Sequence, residues 1–524
     1  MLKTITAYYL VLPSFLFVAG WLRWPYALAS LICLFIYSGV LAVDAYHHLR
    51  EWRLTARSPA RWDGWQWGGL LAASALVFAW LMLSGTGGFG YQNFDYQANN
   101  ALLKDLILNN WPLIAQFEGQ PVHMVYYVAY YLPAAVVGKW LGWSAANLFL
   151  FAWTYTGLIL AFAWFARIGR IKLEKRPSRY LGLVVFFCLA GGLDLIATQL
   201  LTRADVRMSD HVEPWAAFFQ FSSNTTLIYW VPQHTLAIWL LTGLFCDVIY
   251  RRQSLKYIGM PAAAAFIWSP FGVVGLVPLL IMTLVVYLRR PNQTCLFNRD
   301  SLVLNGLAAW VGAVYLLYLG SNQFHFPTGW IWKMVEGAPG FLFQRLWQFW
   351  VFEFGLAAFI TVMILVLGAV VGHSANSSAE STRIHWGRWL AEDFDLSREQ
   401  VLVFVACLIV LLMLPLYKMG VHNDLVMRGS VSALFFFWAF LAKVLFDASS
   451  RVKRRLRPLF LLLIMILLIG FYPSLAEISR SLENYHFGPP LFSSVSTSGE
   501  VNSYEIVVQK IANEDSIFYQ YLSK

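Results

Sequence analysis

The chain has 524 residues, 59% of them hydrophobic and only 13% charged, where a soluble domain carries about 25% charged residues. Too little polar side chain is present to cover a water-facing surface, so a soluble globular protein is excluded and lipid is the natural solvent. The net charge of +10 reads as membrane topology and not as nucleic-acid binding, because the basic residues cluster between apolar runs. Aromatic residues reach 17%, which suits interfacial belts and pockets for sugars or lipid heads.

In chain order, apolar runs of about 17–25 residues mark membrane spans. Two open the chain, near Ile5–Gly20 and Pro25–Val43. The first lacks a small-residue cleavage site and a second span follows at once, so it reads as a retained helix and not as a signal peptide. Trp67–Gly85, Ser144–Phe165, Tyr180–Leu200, Tyr229–Tyr250, Leu302–Leu319, Trp347–Val371, Val401–Tyr417, Val431–Phe446 and Leu459–Tyr472 follow. Ile258–Leu288 is too long for one ordinary span and breaks at Ser269–Pro270, which predicts two short helices returning to the same side. Val122–Trp140 is apolar enough to cross, but counting it would reverse the side of the basic loop Arg167–Arg179. It reads instead as a re-entrant or interface-lying helix, with Pro121, Pro133, Gly138 and Gly142 fitting a broken, tilted course. Ala101–Asn109 reads as a short amphipathic helix, with Leu102, Leu103, Leu106 and Ile107 toward lipid and Lys104 and Asp105 toward water.

The fold expected is an all-α polytopic membrane bundle of about 13 transmembrane helices. The membrane domain covers residues 1–478, including a first outer loop over 86–143 with juxtamembrane helices, and a short tail covers 479–524. Charge assigns the sides. Asp44–Trp62 (with Arg50, Arg53, Arg57 and Arg61), Arg167–Arg179, Arg251–Lys256, Arg289–Arg299 and Arg451–Arg457 are basic, and positive loops stay inside. The N-terminus is then cytoplasmic. Thr86–Trp143, Thr202–Ile228, Gly320–Leu346, Lys418–Gly429 and the C-terminal tail fall outside. The five cysteines stand singly with no CxxC, so neither disulfides nor a thiolate metal site is expected.

Chemistry-bearing residues gather in the outer segments. Asp95 stands between Phe94 and Tyr96 after the glycine-rich GTGGFG. A carboxylate held among rings is partly desolvated, its pKa tends upward, and it suits a general base; a solvated loop acid or a helix cap is the plain alternative. A divalent metal on Asp95 with Asn99 or Asn100 is a further option. Asp105 reads as an ordinary surface acid. HNDLVMRGS packs His422, Asn423, Asp424 and Arg428 together, with Lys418 just before. Arg428 and Asp424 could pair across one helical turn, or Arg428 could grip a phosphate bidentately with Lys418 adding a point charge. Gln233 and His234 in WVPQH, Asp194 in GGLD and Glu353 are polar groups inside apolar spans, where they face a cavity or bond to a neighbouring helix. His123, Tyr126 and Tyr127 are candidates to line a pocket beside Asp95. His325, Trp330, Trp332 and Lys333 could stack on a sugar or belong to an interface belt. GTGGFG is not followed by GK[ST], and no HExxH occurs, so no nucleotide-binding or zinc-protease signature is present.

An acid in the first large outer loop followed by juxtamembrane helices resembles the GT-C superfamily of membrane glycosyltransferases. Asp95 and the segments Ala101–Asn109 and Val122–Trp140 carry that likeness. The strings NFDYQANNALLKDL, YYVAYYLPAAVVGK, GGLD, WVPQH, WSPFG, HNDLVMRGS and SIFYQYL resemble, more narrowly, a set of bacterial membrane proteins. The resemblance implies a multi-pass protein of the bacterial inner membrane in envelope glycan assembly. It would transfer a sugar, with inversion, from a polyprenyl-phosphate-linked donor to a glycan, lipid or protein acceptor, without nucleic acid. Asp95 would be the catalytic residue. Arg428, with Lys418, would hold the donor phosphate, and His422, Asp424, His234, Asp194, His123 and Tyr127 would line the cavity. Many members carry DD or EXD where Asp95 stands alone, so a divalent metal such as Mg or Mn, with Asp95 as its ligand, is left open. A transporter or flippase of lipid-linked glycans, a membrane scaffold, or an acyltransferase built on His234 are the alternatives. A transporter would be expected to show a repeat, and the sequence has none.

Overall fold

The computed structural model describes residues 1–55, 64–117, 120–173, 177–251, 255–288, 299–324, 326–334, 339–376, 386–420, 422–488 and 509–524. His325 and the basic residues Arg57, Arg61, Lys175, Arg176 and Arg289 lie outside the described residues. Among the described residues the chain is almost wholly helical, and nine helices are long and apolar enough to cross a membrane. The chain is thus an all-α, multi-pass membrane protein, as its composition required.

Helix Asp424–Asp447 forms the centre: 89% of its most apolar window is buried. Helix Pro232–Arg251 is buried along almost its whole length and packs against it. Helix Trp24–Glu51, at 33% buried, leaves most of its surface for lipid. Small residues set the close approaches that membrane helices use in place of a hydrophobic drive. A Cβ added to Gly275, on helix Pro270–Leu288, would come within 2.7 Å of the Gly429 carbonyl carbon, and one on Gly191 within 2.9 Å of the Gly470 carbonyl oxygen.

The break expected in Ile258–Leu288 is present. Helix Gly259–Ala265 ends in a turn before Ser269, and helix Pro270–Leu288 follows. The turn is held inside the bundle, with the Trp268 indole donating to the Leu10 carbonyl at 3.1 Å and the Ala129 amide donating to the Ile267 carbonyl at 3.1 Å.

The loops sort to two ends. At one end ion pairs join the loops that are rich in basic residues. Arg167 pairs with Asp247 at 2.9 Å, Lys256 with Asp44 at 2.9 Å and Arg179 with Asp447 at 3.0 Å. The fully buried Lys443 bridges Asp395 and Asp447, each at 2.9 Å. At the other end, here called the loop end, the Asn423 side chain donates to the Phe218 carbonyl and the Tyr91 amide to the Ser481 hydroxyl. The Gly420 amide reaches the Pro327 carbonyl there. The division of loops by charge therefore matches their division in space.

Three expectations are corrected. The amphipathic helix runs from Phe94 to Leu108, and Leu102, Leu103 and Leu106 point into the core and not toward lipid. Asp105 is 0% exposed and no surface acid, because the rest of the loop end is folded over it. The Val122–Trp140 segment is helical only over Leu132–Leu141. Ahead of it, β1 (Ile114–Phe117) and β2 (Gln120–His123) pair antiparallel, with Ala115 opposite Val122, and residues 124–131 run as buried non-helical chain. Those residues can stay buried where their backbone groups find partners, as buried backbone requires. The Tyr126 amide and carbonyl, for instance, both bond the Tyr318 hydroxyl at 3.0 Å. Helix Tyr472–Glu483 crosses the boundary drawn at 479, and residues 509–524 are built into the loop end.

Candidate active site

Asp95 is set by the chain before it. The glycine-rich stretch turns sharply back on the preceding helix, with Ser84 and Gly90 in an antiparallel bridge. Gly85 and Gly90 hold φ of 84° and 93°, and a Cβ on either would strike backbone, so glycine is required at both. Asn93 then caps the helix. Its side-chain oxygen accepts the Asp95 amide at 3.1 Å, and its nitrogen donates to the Tyr229 carbonyl at 2.9 Å. Tyr96 anchors the first turn through its hydroxyl, 3.0 Å from that of Thr86 and donating to the Ser84 carbonyl at 2.9 Å.

Burial pushes the Asp95 carboxyl above its ordinary pKa. The Arg428 guanidinium opposes this most, Asp424 adds to it, and His422 and His211 oppose it. Residues far apart in sequence thus act on one carboxyl. Arg428 and Asp424 lie in the first turn of helix Asp424–Asp447, which a tight turn leads into. Asn423 has φ 61°, and its side-chain oxygen accepts the Met419 amide at 3.3 Å. The pairing expected across that turn is loose, at 3.8 Å. The buried Nε of Arg428 finds no hydrogen-bond partner among the described residues. An unspent guanidinium donor is what an anion site needs.

Tyr127 and His234 join this set. Their rings are 4.6 Å apart, and both feel Arg428. His234 is buried at the start of helix Pro232–Arg251, with Nδ1 2.9 Å from the Ser269 hydroxyl. The break at Ser269 and the polar start of this helix therefore serve one another.

Other candidates lie outside the set. His123 pairs with Glu514 at 2.8 Å. Lys418 sits on β4 (Tyr417–Met419), which pairs with β3 (Thr328–Trp330), and its ammonium lies 5.9 Å from the Phe218 ring centroid. Asp194 belongs to a different buried group, where the Trp215 indole donates to Asp194 at 3.0 Å and to Glu353 at 3.2 Å. Trp330 and Trp332 stack on each other at 4.9 Å. Among the described residues no group of three or more His, Cys, Asp or Glu could hold a metal ion. Asn100, a candidate co-ligand of Asp95, donates to Gln92 at 2.9 Å.

Two residues were not singled out from the sequence. His211 Nδ1 lies 2.7 Å from Glu477, and its ring stacks on Trp230 at 4.8 Å. Burial lowers its pKa, but the Glu477 hydrogen bond and charge raise it more, so the imidazole stays above its ordinary value. The His-x-Glu of SDHVEPW was the only local hint. Lys510 is buried beside Tyr126, and no local pattern marks it. Compared with protein-family models, with curated proteins and with solved structures, the chain matches none.

Proposed function

We propose that the protein is a membrane glycosyltransferase. On this reading it transfers a sugar from a polyprenyl-phosphate-linked donor to a glycan, lipid or protein acceptor in envelope assembly. The loop end would face away from the cytoplasm of a bacterial inner membrane, with about 13 crossings, the N-terminus inside and the C-terminus outside. One observation carries the reading: a raised-pKa carboxyl, Asp95, and a guanidinium with an unspent donor, Arg428, arrive from distant parts of the chain at one site.

In the proposed reaction the acceptor hydroxyl oxygen attacks the anomeric carbon of the donor sugar from the face opposite the phosphate. The new C–O bond forms as the bond from that carbon to the phosphate oxygen breaks, which inverts the centre. The hydroxyl proton passes to the Asp95 carboxylate, whose raised pKa suits it as acceptor. The electron pair leaves on the phosphate, where Arg428 meets the growing charge, the kind of electrostatic contribution that dominates many such sites. His422, Asp424, Tyr127 and His234 line the space. Lys418, Asp194 and His123 are given no part in the step.

The test is turnover by purified protein with a panel of polyprenyl-phosphate sugars, wild type against Asp95→Asn. Donor consumption that collapses in Asp95→Asn supports the reading. Donor binding without turnover, unchanged by the substitution, overturns it in favour of a flippase.

A further inference from the structure

The last described segment, residues 509–524, is stitched into the loop end, with Ile511 bridged antiparallel to Met124 and Ala512 to Asn322. On one side the Val125 amide donates to the Lys510 carbonyl at 2.7 Å and the Ala512 amide to the His123 carbonyl at 2.9 Å. On the other the Gln323 amide donates to the Ile511 carbonyl at 2.9 Å and the Asn513 amide to the Ser321 carbonyl at 2.6 Å. Further on, the Arg23 amide donates to the Leu522 carbonyl at 2.8 Å and the Lys524 amide to the Trp21 carbonyl at 2.9 Å. Glu514 clasps His123. A segment bonded on both sides fixes where its side chains go.

Lys510 is 3% exposed. Its ammonium lies 4.5 Å from the Tyr126 ring centroid, and the Tyr126 and Tyr127 rings are 3.7 Å apart. Tyr127 is the ring that feels Arg428 and Asp95, so a short aromatic step separates Lys510 from the proposed site. Lysine is almost never buried this far unless paired. An aromatic face compensates part of the desolvation, and a methionine would fill the same space with no charge to bury.

We propose that Lys510, delivered by the C-terminal segment, is a binding residue for the phosphate of the ligand held at the Asp95–Arg428 site, so that the site is complete only with the tail docked. The inference rests on the reading of that site as one for a phosphate-bearing ligand. Burial draws the Lys510 ammonium down to about 8, against the pull of Asp105 and Asp95. The groups around it are Asp95, Asp105, Tyr126 and the His123–Glu514 pair. An arriving phosphate restores the charge that burial disfavours.

The experiment measures binding of polyprenyl monophosphate, polyprenol and inorganic phosphate to the full chain in nanodiscs. Wild type, Lys510→Met, Lys510→Arg and Arg428→Gln are compared, with hydrogen exchange at Val125 and Gln323 reporting tail docking. The expected result is tenfold or greater weakening of polyprenyl phosphate by Lys510→Met, with the tail docked. Lys510→Arg should retain most of the affinity, and polyprenol should not distinguish the variants. Inorganic phosphate binding with the same Lys510 dependence supports the site with a soluble source for the phosphate. Unchanged affinity in Lys510→Met beside weakening in Arg428→Gln overturns this proposal alone. Wild type that binds neither phosphate overturns it together with the reading beneath it. If Lys510→Met releases the tail, calorimetry on wild type at pH 8 in two buffers of different ionisation enthalpy decides. Uptake of part of a proton on phosphate binding supports Lys510, and none overturns it.

Discussion

Replacing Lys510 with methionine should tighten the tail while weakening the site. The ammonium falls from 10.5 in the free state to about 8 in the folded chain. A shift of that size means burial costs about 3 kcal/mol, at roughly 1.4 kcal/mol per pKa unit. The cation–π contact offsets about 0.5–2 kcal/mol of this, which leaves a net cost of roughly 1–3 kcal/mol. Below pH 8 the lysine is protonated whether the tail is docked or free, so the cost is felt in full. As pH rises from 8 toward 10.5 the docked lysine is neutral, the undocked one still protonated, and the cost fades to nothing. Methionine has no such cost. Its tail should therefore open about 10–100 times less often than the wild-type tail at pH 7, at tenfold per 1.4 kcal/mol, and the difference should shrink by about tenfold at pH 9. Hydrogen exchange at the Val125, Gln323 and Ala512 amides, compared at each pH, reads both effects. A tail that opens more often in Lys510→Met at both pH values would refute the reasoning, because Lys510 would then be an anchor and not a residue kept at a cost.

Three further outcomes are expected. Asp95 must be ionised to accept a proton, so turnover should rise along an acid limb above the ordinary carboxylate range. Arg428 lowers this carboxyl's pKa, so Arg428→Gln should move the limb to higher pH as well as weaken donor binding; a limb that stays in place in a pH–rate profile contradicts the pairing. Gly275→Ala puts a methyl group against the Gly429 backbone, beside Arg428, and should cost about 1–3 kcal/mol of stability by overpacking. It should also lower turnover by up to about a hundredfold by moving that guanidinium, and equal melting and turnover to wild type would dismiss the contact. His211 is held above its ordinary pKa by Glu477. Its stabilisation is full below about pH 6.5 and lost as pH rises through the folded value, so His211→Asn should lower thermal stability at pH 6 and much less at pH 9.

What could be read from sequence was local. Span lengths, the Ser269–Pro270 break and the sides of the basic loops follow from hydropathy, proline chemistry and charge within short windows. The errors arose where the answer lay elsewhere in the chain. Asp105 next to Lys104 looks like a water-facing turn, and only the fold over it makes it buried. Residues 124–131 are apolar enough for a helix, but Tyr318 and the segment through Lys510 bond backbone groups there instead. Of the residues proposed for the site, Asp95, Arg428, Asp424 and His422 draw notice in the sequence because each stands in a polar string beside an apolar run. Lys510 and His211 were not, because a lone lysine in EIVVQKI and a lone histidine in a loop gain meaning only from Tyr126 and Glu477.

Charge balance at the site suggests how binding and chemistry would be linked. Asp95, Asp105 and Asp424 face Arg428 and Lys510, so without protonated histidines the empty site carries a slight negative excess. A phosphate entering on the Arg428 and Lys510 side adds negative charge near Asp95. Like charge disfavours an ionised carboxyl, so the ligand itself would make Asp95 a stronger base. The same phosphate would hold Lys510 in its charged form, ready for the charge that bond cleavage adds. The donor would thus prepare both ends of its own reaction: the base that takes the proton and the cations that receive the leaving group. An acceptor alone, with no phosphate, would meet a weaker base, which favours transfer only when the donor is already in place.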